Sequence, residues 1–235
     1  MIKLGILEAG QNRPQFIDNH GTMGDWFVPF LNQVEKEWSF KFYKAYLGHL
    51  PGSAHECSAY LITGSAHSVY EKMDWLDKLS RFIRVSADQV PIVGICFGHQ
   101  LLHHIFGGMV CASKIGWCIG VHEYDVFQQL EWMHPSVSQF NLIASHKDQV
   151  IEPAKGAHIL AGSSFCPVAA STIGENILTI QPHPEIDKEL AKLIYELRRD
   201  EQGADVTDRA LSTMDRKIDD DIVAEWITNF LYSRL

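Results

Sequence analysis

Short apolar runs alternate with amphipathic segments through the N-terminal half of the chain. Nearly continuous apolar runs are typical of parallel strands buried on both faces, and strands are predicted at 2–7, 39–45, 59–63 and 91–95. The segments between them carry apolar side chains at helical spacing, and helices are predicted at 24–36 and 75–85. This βαβ rhythm predicts an α/β fold with a doubly wound, mostly parallel sheet flanked by helices.

The C-terminal half changes to shorter apolar runs. They predict a smaller mixed sheet layered on the main one, with strands at 121–127, 141–144, 158–161 and 168–171. A buried strand is expected at 177–180, and helices at 186–199 and 218–232, with a polar loop or short helix at 200–217. Since no linker interrupts the chain, we expect a single domain over 1–235, with a catalytic core of about 1–200 and a C-terminal helical extension of about 200–235.

Composition and charge narrow the class of protein. The net charge is −9 with no dense block of Lys or Arg, which argues against nucleic acid as a partner because phosphate binding needs clustered cations. No apolar stretch approaches the length of a membrane span, and the N-terminus has no signal-peptide pattern. The five cysteines form neither a disulfide framework nor a zinc pattern. We therefore expect a cytoplasmic enzyme that contacts no membrane.

The strand at 91–95 runs into Gly94-x-Cys96-x-Gly98, and a helix-like segment follows at 101–106. Strand, tight turn and helix form the context of a nucleophile elbow, in which the residue between the glycines is exposed under strain. A thiol near a helix N-terminus is stabilised as the thiolate. A buried structural cysteine, the alternative interpretation, suits Cys57 or Cys111 better. Cys96 is therefore the candidate nucleophile.

A candidate base follows the last buried strand. His183 and Glu185 are two residues apart, so in an extended segment their side chains point to the same side. The prolines at 182 and 184 fix φ and stiffen that geometry. A cysteine nucleophile needs a histidine and a group that orients the imidazole, and these two residues have the right chemistry for both roles.

Four motifs in order now resemble a known family, the class I (triad) glutamine amidotransferases. They are 60–69 (YLITGSAHSV), 94–100 (GICFGHQ), 145–150 (SHKDQV) and 183–185 (HPE). The resemblance covers residue 1 to about 186 and implies a flavodoxin-like three-layer fold. It is closest to stand-alone members, such as proteins like the GMP synthase amidotransferase and the plant γ-glutamyl peptidases, through 6–10, 24–27 and 114–120.

The resemblance also implies the roles of individual residues. Cys96 would attack the γ-amide of glutamine or a γ-glutamyl compound, His183 would protonate the leaving ammonia or amine, and Glu185 would orient His183. The implied oxyanion donors are the backbone N–H of Phe97 and that of Ser65, or of Gly64 if the register differs by one. Substrate contacts are implied for Gln100, Ser145, Lys147 and Asp148. No metal or organic cofactor is expected.

Departures from the family pattern bear on specificity. Ser65 and Ala66 stand where many members have Gly and Pro, and Lys147 stands where GMP synthase-like members have Gly. These changes fall at the implied substrate site and argue against strict glutamine specificity. Trp117, between two glycines, is interpreted as a further residue that shapes the pocket.

Several alternatives remain open from the sequence. The protein could be a free-standing hydrolase of a small-molecule substrate, a glutaminase subunit delivering ammonia to a separate synthetase, or a catalytically silent binding protein of the same fold; its oligomeric state is open. His99 and His103 have a spacing that could suit a metal, but packing beneath the elbow is favoured. Trp26, Phe27 and Phe30 are interpreted as core residues.

Overall fold

A nine-stranded mixed sheet organises the part of the chain that this computed structural model describes, which is residues 1–12, 14–34 and 37–235. Its strands are β1 (Ile2–Leu7), β2 (Trp38–Tyr43), β3 (Ala59–Ile62), β4 (Ile92–Ile95), β6 (Cys118–Val126), β7 (Gln139–His146), β9 (Ala157–Gly162), β10 (Ala170–Ile173) and β11 (Ile177–Ile180). A separate antiparallel pair consists of β5 (Met109–Ala112) and β8 (Asp148–Glu152).

The strand order β2-β1-β3-β4-β11-β10-β9-β6-β7 has a parallel half and an antiparallel half. The parallel half ends at β11, which pairs with β4, and this confirms the predicted mostly parallel sheet. The shorter strands, expected to form a layered second sheet, instead extend the main sheet edge to edge. A tight turn through Gly174 (φ +60°) folds β10 back beside β11, and β9, β6 and β7 continue from there. The smaller sheet is the β5–β8 pair.

Helices cover both faces of the sheet. They are α1 (Pro14–His20), α2 (Phe27–Asn32), α3 (Asp74–Ser86), α4 (Phe97–Ile105), α5 (Lys188–Leu197), α6 (Arg199–Gln202), α7 (Ala204–Leu211) and α8 (Asp220–Tyr232). The apolar faces of α2 and α8 pack with one side of the parallel strands, and those of α3 and α4 pack with the other. Helix α2 is shorter than the helix predicted at 24–36, whose last two residues lie outside the described residues. Helix α1 was not predicted.

The C-terminal residues pack into the core. Phe230 and Trp226 of α8 are buried, and their rings contact those of Trp132 and Phe140 at centroid distances of 5.3 and 5.4 Å. The polar segment 200–217, predicted as a loop or short helix, contains α6 and α7. No helix in the described ranges has the length and apolar composition needed to cross a bilayer.

Three neighbouring parallel strands end at the same edge of the sheet. Strand β4 lies between β3 and β11, with Gly94 in register with Ile62 on one side and with Thr179 on the other. The chain therefore delivers the residues after each strand to one place, where ligands bind in open α/β sheets.

Candidate active site

The turn after β4 holds Cys96 in a strained backbone conformation. Cys96 has φ +52° and ψ −100°, and among the described residues it is the one non-glycine with positive φ. Such a conformation costs on the order of 1–3 kcal/mol and persists only where the surroundings enforce it. Here the Cys96 N–H donates to the Ile180 carbonyl (2.8 Å), and its carbonyl accepts from the Gln100 N–H (3.0 Å).

The two flanking glycines are required by close packing. A Cβ on Gly94 would lie 2.6 Å from the backbone of Gly98, and a Cβ on Gly98 would lie 2.5 Å from the carbonyl oxygen of Ile62. Real Cβ contacts are not this short, and neither glycine has a positive φ. The motif thus lets α4 start directly against β3 and β4, which aims the Cys96 side chain at the edge of the sheet.

The segment after β11 places an imidazole against this thiol. His183 Nδ1 and Glu185 Oε1 are 2.7 Å apart, and both side chains are buried. The His183 N–H donates to the Ile143 carbonyl at 2.8 Å, which fixes the backbone. Because Nδ1 is engaged by Glu185, Nε2 is the nitrogen left for the Cys96 thiol, with which the imidazole forms a hydrogen bond.

The electrostatic surroundings of His183 favour its protonated form. Burial lowers the pKa of His183, but negative charge on Cys96 and on Glu185, with hydrogen bonds to both, outweighs burial and raises the pKa well above its ordinary value. An imidazolium between a thiolate and a carboxylate can hold and deliver a proton, which is what thiol-based acyl transfer requires.

The residues after β3 form the opposite wall. A Cβ on Gly64 would lie 3.0 Å from His183 Cε1 and 3.8 Å from Cys96 Cβ, so this backbone touches both side chains. The Gly64 carbonyl accepts from the Thr63 hydroxyl at 2.9 Å. In a trans peptide the N–H of Ser65 points the opposite way, and among the described residues it has no hydrogen-bond acceptor. This orientation favours the N–H of Ser65 as a donor to a ligand.

A cavity of about 340 Å³ opens above these residues. Every site residue singled out in the sequence lines it except Phe97: Cys96, His183, Glu185, Gly64, Ser65, Gln100, Ser145, Lys147, Asp148 and Trp117. The Phe97 side chain is buried behind the elbow, 6.0 Å from the Trp75 ring. As the first residue of α4, Phe97 carries an N–H that has no acceptor within the helix.

The predicted substrate-binding residues are tied together by hydrogen bonds. Gln100 Nε2 donates to the Asp148 carbonyl at 2.7 Å and to Gln181 Oε1 at 3.1 Å. Asp148 Oδ2 accepts from the Ser68 hydroxyl at 2.6 Å, which joins the loop after β3 to β8. Lys147, between β7 and β8, is exposed. The amide nitrogen of Gln100 is therefore engaged within the protein, which leaves its Oε1 for a ligand.

The structure adds residues that sequence reasoning missed. Trp26, interpreted as core, lines the cavity instead, while Phe27 and Phe30 are buried as expected. His67 and Arg198 also line it, and neither stands in a pattern that the sequence could connect to the elbow. His67 lies two residues after Ser65 in the same loop, which is the one available signal. Arg198 follows α5 and reaches the site only through the fold.

Burial keeps a second cavity histidine neutral. His146 lines the cavity, and desolvation lowers its pKa to about 3, although a hydrogen bond to the Asp148 carbonyl acts in the opposite direction. It is therefore uncharged near neutral pH.

The histidines beneath the elbow contact hydroxyl groups. His99 Nδ1 lies 2.8 Å from Thr179 Oγ1, and His103 Nε2 lies 3.0 Å from Ser171 Oγ. Both imidazoles are buried. Within the described ranges, no group of three or more His, Cys, Asp or Glu side chains could hold a metal ion. The pair His99 and His103 therefore packs between α4 and the strands β10 and β11.

Comparisons with known proteins agree with this geometry. The family model for glutamine amidotransferase class-I matches residues 33–195. Gamma-glutamyl peptidase 2 of Arabidopsis thaliana is 29% identical over 179 residues, which cover 73% of this chain and 71% of the relative. One of the separately encoded chains of the glutamine-hydrolyzing GMP synthase of Saccharolobus solfataricus is 31% identical over 127 residues, or 54% of this chain and 66% of the relative. A solved glutamine amidotransferase from Thermotoga maritima matches with a TM-score of 0.78 at 18% identity and covers 98% of both chains.

Proposed function

Because the chain belongs to the glutamine amidotransferase class-I family, we propose that it hydrolyses the γ-amide bond of glutamine or of γ-glutamyl compounds with Cys96 as the nucleophile. Membership of the family confirms the resemblance found in the sequence. It also makes the protein a hydrolase, as the similarity to γ-glutamyl peptidases and to a chain of GMP synthase indicates.

One observation carries the proposal. Cys96 stands at a strained elbow and is hydrogen-bonded to His183, which is held 2.7 Å from Glu185 at the edge of a cavity. A catalytically silent protein would gain nothing from the strain at Cys96 or from a buried imidazole placed between two acidic groups. This cost is explained if the arrangement performs acyl transfer.

The proposed reaction has two halves. The Cys96 thiolate attacks the γ-carbonyl carbon, and the N–H groups of Phe97 and Ser65 stabilise the oxyanion that develops. His183 gives its proton to the leaving ammonia or amine, and a γ-glutamyl thioester forms on Cys96. His183, now neutral, takes a proton from water as the water attacks the thioester. Glutamate leaves, and Cys96 and His183 return to their first state.

A substrate larger than glutamine fits the cavity best. Its volume of about 340 Å³ lies in the range of pockets that hold drug-sized ligands. The relatives called gamma-glutamyl peptidases support a γ-glutamyl amide as substrate. We therefore place γ-glutamyl compounds before free glutamine.

Delivery of ammonia to a separate synthetase is the second candidate function. It is favoured by the similarity to the GMP synthase chain of Saccharolobus solfataricus, which by its name is one of several chains of that enzyme. Under this alternative, glutamine would be the preferred substrate and its turnover by the isolated chain would be low. The two candidates share the chemistry at Cys96 and differ in the substrate.

The test is release of ammonia or amine by the purified protein from glutamine, glutathione and a set of γ-glutamyl amides. Cys96→Ser should abolish turnover, whereas Cys111→Ser is the matched control because Cys111 lies outside the cavity. Intact-mass analysis after an acid quench should detect a γ-glutamyl adduct that Cys96→Ser does not form.

The substrate profile separates the candidates. Turnover of γ-glutamyl amides well above that of glutamine supports the free-standing hydrolase. Slow turnover of glutamine alone supports the role in ammonia delivery. If no substrate is turned over and no adduct forms, the proposed function is wrong.

A further inference from the structure

The cavity has two chemically different walls. The wall formed by the ends of the strands is polar and carries Cys96, His183 and Asp148. The opposite wall is formed by α1, α5 and the residues near them, and most of the side chains that it presents are apolar. The apolar side chains used in this argument are Phe16, Trp26, Trp117, Ile194 and Leu197.

The apolar wall is a built surface. Phe16 and Trp26 meet edge to face with ring centroids 6.1 Å apart, and Trp26 Nε1 donates to the His20 carbonyl at 2.7 Å. Phe16, Trp26, Trp117 and Ile194 all pack against the same buried cluster, which includes Ile186 and Tyr195. These side chains are half-buried, so each has an anchored side and a side free to contact a ligand.

Arg198 stands at the edge of this wall. It is four residues after Ile194, so the two side chains share one face of the helical segment, and both line the cavity. The Arg198 N–H donates to the Tyr195 carbonyl at 3.1 Å, at the junction of α5 and α6. The base of this side chain is therefore fixed.

The guanidinium of Arg198 has no ion-pair partner among the residues that the structure describes. The neighbouring Arg199 differs, since it pairs with both Glu196 and Asp208 at 2.8 and 2.7 Å. An unpaired, half-buried guanidinium beside a cavity is suited to bind a carboxylate.

We propose that the apolar wall is a subsite for the leaving amine, and that Arg198 is the specificity-determining residue that binds a carboxylate on it. The inference rests on the proposed hydrolysis of γ-glutamyl amides. The substrate class is a γ-glutamyl amino acid whose second residue is aromatic or large and aliphatic. The γ-glutamyl part occupies the polar wall, the apolar side chain packs on Trp26 and Ile194, and the terminal carboxylate pairs with Arg198.

The other charges lining the cavity are consistent with this assignment. The carboxylates of Asp148 and Glu185 are already bonded to Ser68 and His183. Lys147 follows β7, next to the segment expected to hold the glutamyl head group. Glu201, also at the cavity, is exposed. If Glu201 governed specificity instead, a cationic leaving amine would be preferred, and the test includes this outcome.

The experiment compares substrates that differ in one group. Initial rates are measured with γ-glutamyl-phenylalanine, with γ-glutamyl-phenethylamide, which lacks the carboxylate, with γ-glutamyl-putrescine and with glutamine. The same measurements are made on Arg198→Gln and on the matched control Arg199→Gln. Binding of γ-glutamyl-phenylalanine and of γ-glutamyl-phenethylamide is measured by calorimetry in the Cys96→Ser background, so that the subsite is tested without turnover.

We expect the wild-type protein to prefer γ-glutamyl-phenylalanine over the phenethylamide by about tenfold in kcat/KM, as one charge-assisted hydrogen bond can provide. Arg198→Gln should remove this preference and leave glutamine turnover unchanged, and Arg199→Gln should keep it. An equal preference in wild type and Arg198→Gln, or a preference for the putrescine compound, overturns the inference. If binding depends on Arg198 but no substrate is turned over, the subsite stands and the proposed function fails.

Discussion

Replacing Gly64 with alanine tests whether the position of His183 controls the chemistry. The added Cβ would lie 3.0 Å from His183 Cε1, whereas ordinary contacts begin at 3.4 Å. The imidazole must therefore move by about 0.4 Å. Its backbone is held by the hydrogen bond to Ile143 and by the flanking prolines, so the movement has to come from the ring and from its bond to Glu185.

The expected loss of activity follows from that displacement. A misplacement of about 1 Å can cost on the order of a hundredfold in rate, so we expect kcat to fall about tenfold, or about 1.4 kcal/mol of barrier. The stability should change little. Gly64 does not have a positive φ, so alanine can adopt its conformation, and the reduced freedom of the unfolded chain offsets the tight contact to within about 1 kcal/mol.

The assay pairs steady-state turnover of the best γ-glutamyl substrate with urea unfolding. Gly52→Ala is the matched control, because a Cβ there meets only Glu56 Oε2, at 3.6 Å, and lies far from the cavity. Wild-type kcat in Gly64→Ala would refute the reasoning. So would a loss of activity that is explained by unfolding.

Three further predictions follow from other contacts. Gly98→Ala should destabilise the fold by about 3 kcal/mol, measured by urea unfolding, because its Cβ would meet the Ile62 carbonyl at 2.5 Å; a change below about 1 kcal/mol would contradict this. Burial holds the pKa of His103 at about 4, below its ordinary value of 6.5. The unfolded chain therefore takes up the proton first on acidification, and this contribution, fully present above about pH 6.5, is lost as pH falls towards 4. His103→Asn should accordingly lose about 2 kcal/mol less than wild type between pH 7 and pH 5 by urea unfolding, and an equal loss in both proteins would count against it. Trp117→Ala should raise KM for γ-glutamyl-phenylalanine several-fold while kcat is retained, and unchanged kinetics would argue against its place in the pocket.

The sequence by itself determined the parallel core and the chemistry of the elbow. Strands β1, β3, β4 and β11 are continuous apolar runs, so their burial needs no knowledge of their neighbours. The elbow at Cys96 is a local event of strand, glycine and helix. His183 and Glu185 are also a local pair, since two residues of extended chain are enough to bring their side chains to one side.

Tertiary structure decided which residues share the cavity and how the shorter strands are placed. Periodicity along β10 and β9 identifies strands but contains no information about the sheet they join, and a tight turn at Gly174 sets them in the main sheet. Arg198 and Phe16 reach the site from helices far away in the chain. Their apolar or charged character is unremarkable in the sequence, because it gains meaning only from the partners that packing supplies, and in the case of Arg198 from the absence of one among the described residues.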